Sequence, residues 1–211
     1  AGANTDDGSC IYPGCTDSAA CNYNDMANEE DGSCDFCCDA VESSNSDYGI
    51  EVELHAVGGV TGMRTYRMYV TTPNSTDALS AVAGYAENPL TIATTTDFYQ
   101  FPGLSATPAG WQPQFATFPG FAEGAYDSFV TIGLDRAADL DPSAGEQNVQ
   151  TARTPGELWD TLFESGEDIV MQSSTGGSWF VTEGATNAIA GDDHRILIGQ
   201  FTTNGFLSGD L

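Results

Sequence analysis

The chain has 211 residues, with 31 Asp and Glu against 5 Lys and Arg, and a formal net charge of −26. All five basic residues are arginines, which excludes Schiff-base chemistry and phosphate binding through a lysine. A surface this negative repels phosphate backbones and anionic lipid headgroups, so nucleic acid and membranes are not expected partners. With 40% hydrophobic and 10% aromatic residues, the chain is still apolar enough to fold around a core.

The cysteines all lie within the first 38 residues, which divides the chain into two unlike parts. A dense cluster of even number among Gly, Asn, Asp and Ser is typical of a disulfide-stapled module in an oxidising compartment, so the protein is predicted to be secreted. The spacing does not choose among the pairings. Zinc is the alternative, because Cys34, Cys37 and Cys38 could supply thiolates. The predicted disulfide cysteines are Cys10, Cys15, Cys21, Cys34, Cys37 and Cys38.

A short repeat runs through this cysteine-rich part. Residues 3–10 (ANTDDGSC) match residues 27–34 (ANEEDGSC) at the Ala, Asn, Asp, Gly, Ser and Cys positions. The complete copy runs from Gly14 to Cys34, and the residues up to Cys10 correspond to the end of a preceding copy. A unit of about 24 residues cannot bury a core alone, so such copies normally form arrays or pack on a neighbour. We therefore expect the natural polypeptide to continue upstream, or a neighbouring subunit to complete the module.

The motif GCTDSAACNYN followed by DGSC, from Gly14 to Cys34, resembles the cysteine-containing DGSC repeats of very large secreted surface proteins of marine bacteria and archaea. From about Tyr48 onward, the chain is similar to a β-rich module of the same proteins. The segments that carry this second similarity are Thr65–Val70, Tyr126–Gly133, Gly176–Phe180 and Ile196–Thr203. The resemblance implies secretion, repetition and a structural or adhesive role, and it offers no catalytic residues.

Carboxylates cluster around the two DGSC turns and offer the hard oxygen ligands that calcium prefers. The spacing is not that of an EF-hand, since the DxDxDG alternation is missing. Alternatively, Asp-Gly-Ser forms a turn in which the aspartate accepts a backbone N–H and the glycine supplies a positive φ. The two interpretations are compatible. The candidate ligands here are Asp6, Asp7, Glu29, Glu30 and Asp31.

From about Tyr48 to the last residue, short segments rich in Val, Ile, Thr, Tyr and Phe alternate with Gly, Pro, Asn and Asp, which predicts β-strands. The predicted strands are Ile50–Val57, Met63–Thr72, Ala78–Gly84, Leu90–Thr94, Phe98–Phe101, Ser128–Leu134, Asp168–Gln172, Ser178–Thr182, Arg195–Thr202 and Phe206–Ser208. The expected fold class is mainly β. Residues 48–211 are predicted to form a β-sandwich with jelly-roll or Greek-key connections and one short helix, and residues 1–47 a small disulfide-rich repeat module.

The one helix is predicted after Thr154. Thr154 is placed at the N-cap, Pro155 at the first helical position and Glu157 at the third, which makes a capping box. An apolar stripe follows, and it is expected to close one end of the sandwich. The stripe consists of Leu158, Trp159, Leu162 and Phe163.

Residues 101–125 carry four prolines among aromatic side chains and cannot run as a central strand. They predict a long ordered loop. Trp111 in this loop is the candidate ligand-binding residue, because an exposed indole can stack on a sugar. The alternative is that these aromatic side chains cover the core.

Three further candidate sites lie in the large domain. Asp135, Asp139 and Asp141 follow a predicted strand and suggest a second calcium loop, the alternative being a solvated loop with an Asp–Arg pair. Asp192 and Asp193 precede His194 and could bind a metal or orient a base, or simply form a turn into a strand. Asn74-Ser75-Thr76 is an N-glycosylation sequon in a predicted loop. The motifs GxSxG and HExxH are absent from the sequence.

Together these features favour a non-catalytic extracellular structural protein, a repeating subunit of a surface fibre, a filament or a giant adhesin. The expected partners are copies of itself and surface glycans, the expected cation is calcium, and direct membrane insertion is not expected. The alternative is a carbohydrate-binding module of a secreted protein that interacts with polysaccharides. A hydrolase that depends on His194 is the third hypothesis.

Overall fold

The computed structural model describes residues 11–17, 20, 23–34 and 47–211. The chain divides into two compact units, residues 1–40 and residues 41–211. Among the helices in the described ranges, none has the length and apolarity needed to cross a membrane. Several predicted site residues lie outside the described residues: Asp6, Asp7, Cys10, Cys21, Cys37 and Cys38.

The first unit contains two very short strands, β1 (Pro13–Gly14) and β2 (Glu29–Glu30), which pair in parallel. A disulfide joins Cys15, the residue directly after β1, to Cys34, which lies shortly after β2. Next to the strands, Tyr12 and Asn28 exchange two hydrogen bonds of 2.8 and 3.0 Å. The predicted disulfide-stapled module is confirmed for this cysteine pair.

The second unit is built mainly of β-strands and contains one short helix, as predicted. The helix is α1 (Trp159–Phe163). The strands are β3 (Gly49–Val57), β4 (Arg64–Thr71), β5 (Ala81–Gly84), β6 (Leu90–Thr94), β7 (Phe129–Val130), β8 (Gln150–Arg153), β9 (Ile169–Met171), β10 (Gly177–Phe180), β11 (Arg195–Thr203) and β12 (Leu207–Asp210).

These strands form three antiparallel sheets with the orders β3-β4-β11-β7, β5-β10-β8 and β12-β6-β9. Within the described part of this unit, only β3 and β4 are paired strands that follow each other in the chain. The other pairs join segments distant in sequence. Most of the sheet structure therefore depends on long-range contacts.

One hydrophobic core collects buried side chains from all three sheets and from α1. Within it, the ring centroids of Trp159 in α1 and Trp179 in β10 lie 5.9 Å apart. Full burial of such side chains contributes about 1.5–3 kcal/mol each. The largest fully buried members include Ile92, Trp159, Phe163, Ile169, Met171, Trp179, Ile198 and Phe201.

The predicted capping box is wrong. Helix α1 begins at Trp159, and its N-cap residue Leu158 makes no side-chain capping bond. Gly156 has φ +98°, which lies outside the right-handed helical region, so the helix cannot include this residue and begins after it. The hydroxyl of Thr154 donates instead to the carbonyl of Gly176 at 2.9 Å. Glu157 accepts hydrogen bonds from backbone N–H groups beyond β9, as described below.

Several strand predictions also differ from the structure: the strand predicted at Ser128–Leu134 is only Phe129–Val130, and the one predicted at Ala78–Gly84 begins at Ala81. Residues 98–101 form no strand, although the Tyr99 N–H donates to the carbonyl of Thr202 at 2.7 Å. Strand β8 was not predicted, because Gln150-Thr151-Ala152-Arg153 lacks any apolar alternation and lies at a sheet edge. The proline-rich stretch forms an ordered loop with three short 3-10 turns, as predicted. Those turns are Pro108–Gly110, Pro113–Thr117 and Ala122–Tyr126.

Candidate functional site

The complete DGSC turn is built around the carboxylate of Glu30. Its Oε2 accepts hydrogen bonds from the backbone N–H of Thr16 at 2.8 Å and from the Thr16 hydroxyl at 2.9 Å. Its Oε1 accepts the N–H of Gly32 at 2.9 Å. These bonds hold the pKa of Glu30 below its ordinary value, and the bond from the Thr16 N–H has the largest effect.

The next residues complete the turn. The Asp31 carboxylate accepts the N–H of Ser33 at 2.9 Å, and the bonds from Ser33 lower the pKa of Asp31. Gly32 has φ +78°, a conformation that favours glycine. The interpretation of Asp-Gly-Ser as a turn is therefore confirmed, and the two carboxylates serve its backbone.

Cys15, Glu30 and Cys34 are the only three His, Cys, Asp or Glu residues of the described part whose ligand atoms converge as a metal site requires, within 4.8 Å of one another. Cys15 and Cys34 are joined in a disulfide, however, so neither offers a thiolate. Cys34 was one of the thiolates of the zinc alternative. In the oxidised module, the disulfide stabilises the repeat, and the Glu30 carboxylate lies beside it.

The aspartates of the loop after β7 serve separate partners. Asp135 pairs with Arg67 at 2.9 Å, and the Nε of Arg67 also donates to the Gln200 side chain at 3.0 Å. Asp139 accepts the N–H of Asp141 at 2.9 Å, and Asp141 accepts the Ser143 N–H at 2.9 Å. The described residues do not gather the three aspartates into one coordination group. The structure shows the Asp–Arg pair of the alternative interpretation, and calcium stays a prediction.

A second ion pair closes the same loop and was missed from the sequence. The guanidinium of Arg136 donates to both carboxylate oxygens of Glu146, each at 2.8 Å. The Asp139 N–H donates to the same carboxylate at 2.8 Å. The hydrogen bonds from Arg136 and, to a smaller extent, from the Asp139 N–H lower the pKa of Glu146. Because the two residues are 10 positions apart in a loop, no helical or strand spacing identified them.

A polar groove of about 410 Å³ lies between this loop and the outer face of β4 and β11. Arg195 lies over the ring of Tyr69, 4.2 Å from its centroid. Its guanidinium also pairs with Glu51 at 3.2 Å and with Glu53 at 3.0 Å. Arg67, the other arginine of the groove, is paired with Asp135. The two cations are thus compensated by carboxylates of the protein itself.

The Asp-Asp-His segment forms a turn. Gly191–Asp193 make one 3-10 turn, and His194 follows with φ +55° before β11 begins. The side chains of Asp192, Asp193 and His194 are exposed, and the His194 carbonyl accepts the N–H of Thr72 at 2.8 Å. The described residues do not bring the three side chains into a metal-binding group. The interpretation as a turn into a strand is confirmed.

Trp111 is buried, with only 5% of its surface exposed, and cannot stack on a sugar in this conformation. Its indole packs against Gly124 and makes an edge contact with Phe115 at 5.9 Å between ring centroids. The prediction of an exposed ligand-binding indole is therefore corrected, because the 3-10 turns fold the loop onto this ring. In the same loop, Phe118 and Phe121 are exposed to 55% and 47%.

Asn74 is exposed in the loop between β4 and β5, as the sequon interpretation requires. Its side-chain amide donates to the Asp77 carboxylate at 3.2 Å. The backbone N–H of Asn74 donates to the same carboxylate, also at 3.2 Å. Glycosylation of Asn74 stays a prediction.

Asp127 is a buried acidic residue that the sequence did not single out. Its carboxylate accepts the N–H of Phe101 at 2.6 Å, and its carbonyl accepts the Gln200 amide at 2.9 Å. Burial raises the pKa of Asp127 to about 7. Nearby, the Tyr99 hydroxyl donates to the Glu123 carboxylate at 3.1 Å. Burial, with a smaller contribution from this bond, raises the pKa of Tyr99 to about 12. No motif in the sequence distinguishes Asp127 from the other aspartates.

Comparison with protein-family models, with curated proteins and with solved structures finds no match to this chain.

Proposed function

We propose that this chain is a non-catalytic extracellular structural protein, a repeating subunit of a surface fibre, a filament or a giant adhesin. The observation that carries the proposal is the disulfide of Cys15 and Cys34, which closes a repeat whose DGSC end occurs twice in the sequence. A disulfide-stapled repeat suits an oxidising compartment. Repeats too small to hold their own core suit an array.

The use of the charged side chains supports the same role. Arg67, Arg136, Arg153 and Arg195 each pair with a carboxylate, and the pairs of Arg67 and Arg195 join segments distant in the chain. Glu30 and Asp31 are engaged by the turn that they stabilise. Much of the available polar chemistry therefore serves the fold itself, as a durable building block requires.

Immunogold electron microscopy of the source cells tests this proposal. Antibodies raised against residues 47–211 should label extracellular fibres or the cell surface at regular intervals. Peptide mapping of the native material without reductant should recover Cys15 linked to Cys34. Label confined to the cell interior would overturn the proposal.

A second candidate function is carbohydrate binding through Phe118 and Phe121, and the exposure of both rings in the long loop favours it. A polysaccharide pull-down should then be lost on Phe118→Ala with Phe121→Ala. Tyr85→Ala, which removes an exposed ring from another loop, is the matched control and should retain binding. Absence of binding by the unaltered chain across a glycan panel would exclude this candidate.

A further inference from the structure

Strand β3 lies at the edge of its sheet, and among the described strands only β4 pairs with it. It spans nine residues, from Gly49 to Val57. One row of its backbone N–H and C=O groups therefore faces away from the sheet. Only another extended strand supplies donors and acceptors at the matching spacing, so the natural occupant of this edge is a β-strand.

Apolar side chains lie on the core-facing side of β3, at this edge of the sheet. Val52 packs against the core, with Met68 of β4 as its cross-strand neighbour. Ile50 and Leu54 lie on the same side of β3, two residues before and two residues after Val52, and each is 40% exposed. The core-facing side of the sheet thus ends at β3 with apolar surface left uncovered.

The charges on β3 are partly compensated, which matters on a molecule of net charge −26. Its two acidic residues, Glu51 and Glu53, face the other side, and Arg195 pairs with both. The strand contains neither the lysine nor the proline that commonly protects exposed edges. The irregularity at His55, between Leu54 and Ala56 in the register, lies beyond the regular stretch. A second copy can approach this strand with less repulsion than a surface of unpaired acidic residues would impose.

The sequence of this stretch is self-complementary. Ile50-Glu51-Val52-Glu53-Leu54 reads apolar, acidic, apolar, acidic, apolar in both directions from Val52. An antiparallel copy centred on Val52 places Ile50 of each chain opposite Leu54 of the other. Such pairs on one face are the units that stabilise antiparallel strands.

We propose that β3 pairs antiparallel with β3 of a second copy of this chain, joining two four-stranded sheets across their edges. The inference deepens the proposed structural role and rests on it, because edge pairing adds a contact between copies that a fibre can use. The contact is short, so the dimer forms weakly and relies on high local concentration.

The proposed pairing has a distinctive salt dependence. It places Glu51 of each chain opposite Glu53 of the other, while each chain keeps its own Arg195, so negative charge remains in excess. Screening shortens the reach of this repulsion from about 8 Å at physiological salt to about 3 Å at 1 M. Association should therefore strengthen with added salt, whereas a dimer held by opposite charges would weaken.

Sedimentation equilibrium of the full chain at low and high salt tests the proposal. The unaltered chain should form dimers that salt promotes. Ile50→Glu with Leu54→Glu should raise the dimer dissociation constant roughly tenfold or more, because like charges then face each other twice. A mixture of this variant with Ile50→Lys and Leu54→Lys should associate again as a heterodimer. Such rescue requires both variants to be folded.

Leu140→Glu is the matched control, since it adds a negative charge at an exposed leucine in the loop after β7. It should associate as the unaltered chain does. The pairing is overturned if the unaltered chain stays monomeric at every salt concentration, or if the double glutamate variant dimerises normally. A monomeric chain would leave the fibre role to be judged by the immunogold labelling, so the two failures are distinguishable.

Discussion

The backbone N–H of Phe101 donates a 2.6 Å hydrogen bond to the carboxylate of Asp127, which closes residues 101–127 into a single loop. The side-chain amide of Gln200 in β11 donates to the Asp127 carbonyl at 2.9 Å and to that of Ala125 at 3.1 Å. The end of the loop is thereby attached to β11, one of the two inner strands of the four-stranded sheet. A buried carboxyl group thus helps to hold the loop that carries these aromatic side chains.

The stability of the protein should fall as the pH rises from about 4 to about 7 because of Asp127. Burial raises its pKa to about 7 in the folded protein, against about 4 in an unfolded chain. Between these values the folded state holds the proton and the unfolded state has lost it, so the free energy of unfolding decreases with pH. Urea titrations at several pH values should show the decrease.

Asp127→Asn should weaken this pH dependence, because the amide stays neutral and can still accept the Phe101 N–H. Asp193→Asn, at an exposed position, is the control for the loss of one charge. If the Asp127→Asn variant retains the full pH dependence, the decrease comes from repulsion among the other acidic residues instead.

Gly124→Ala should destabilise the large domain by about 2 kcal/mol, the typical cost of overpacking. A Cβ at this position would lie 2.5 Å from Cζ3 of the buried Trp111 ring. Gly110→Ala, in the same loop, is the matched control, because its Cβ would meet Leu104 at an ordinary 3.7 Å. Chemical denaturation followed by tryptophan fluorescence measures both. Equal stability of the two variants would contradict the observed packing of Trp111.

Glu157→Ala should destabilise the domain by about 2 kcal/mol through lost charge-assisted hydrogen bonds. The carboxylate accepts the N–H groups of Gln172 at 2.9 Å and of Ser173 at 3.0 Å, which ties the segment before α1 to the end of β9. Burial opposes the charge, yet the bonds from Ser173 and Gln172 hold the pKa of Glu157 below its ordinary value. Thermal unfolding at pH 7 should show a lower melting temperature for Glu157→Ala than for the unaltered chain. Glu183→Ala, at an exposed position, is the control and should melt like the unaltered chain.

Cys15→Ser with Cys34→Ser should loosen the first unit. The disulfide closes a loop with a sequence separation of 19 residues, and closing a loop of this size is worth about 3 kcal/mol. Hydrogen exchange followed by mass spectrometry should show faster exchange in peptides from residues 11–34. Peptides from residues 47–211, which have their own core, serve as the internal control and should keep their protection. Unchanged exchange in residues 11–34 would show that other contacts stabilise the module.

The large strands were predictable because their side chains alternate. Leu90–Thr94 was predicted with its observed bounds, β3 and β11 differ from prediction by one residue at one end, and β4 differs by one residue at each end. The capping box failed because Thr154 and Glu157 found partners near Gly176 and Ser173, which are distant in the chain. A capping motif is defined by neighbouring residues alone, so it does not show when distant backbone groups bind the same side chains.

In the candidate sites too, features that depend on neighbouring residues were predictable and features that depend on distant segments were not. The Asp-Gly-Ser turn and the turn before β11 were recognisable, since both depend on neighbouring residues. The burial of Trp111 and the partner of Asp135 were not, since each depends on a segment brought in from elsewhere. Solvent exposure and ion pairing are properties of the packed chain, so residue type alone does not decide them.

By itself, the sequence determined the acidic, lysine-free character of the chain, its cysteine-rich repeat and its mainly β class, because composition and short-range periodicity are local properties. Only the tertiary structure decided that Cys15 pairs with Cys34, that Asp127 is buried and that β3 ends its sheet with apolar surface exposed. These features arise from contacts between distant segments, and strand order fixes which edge stays open.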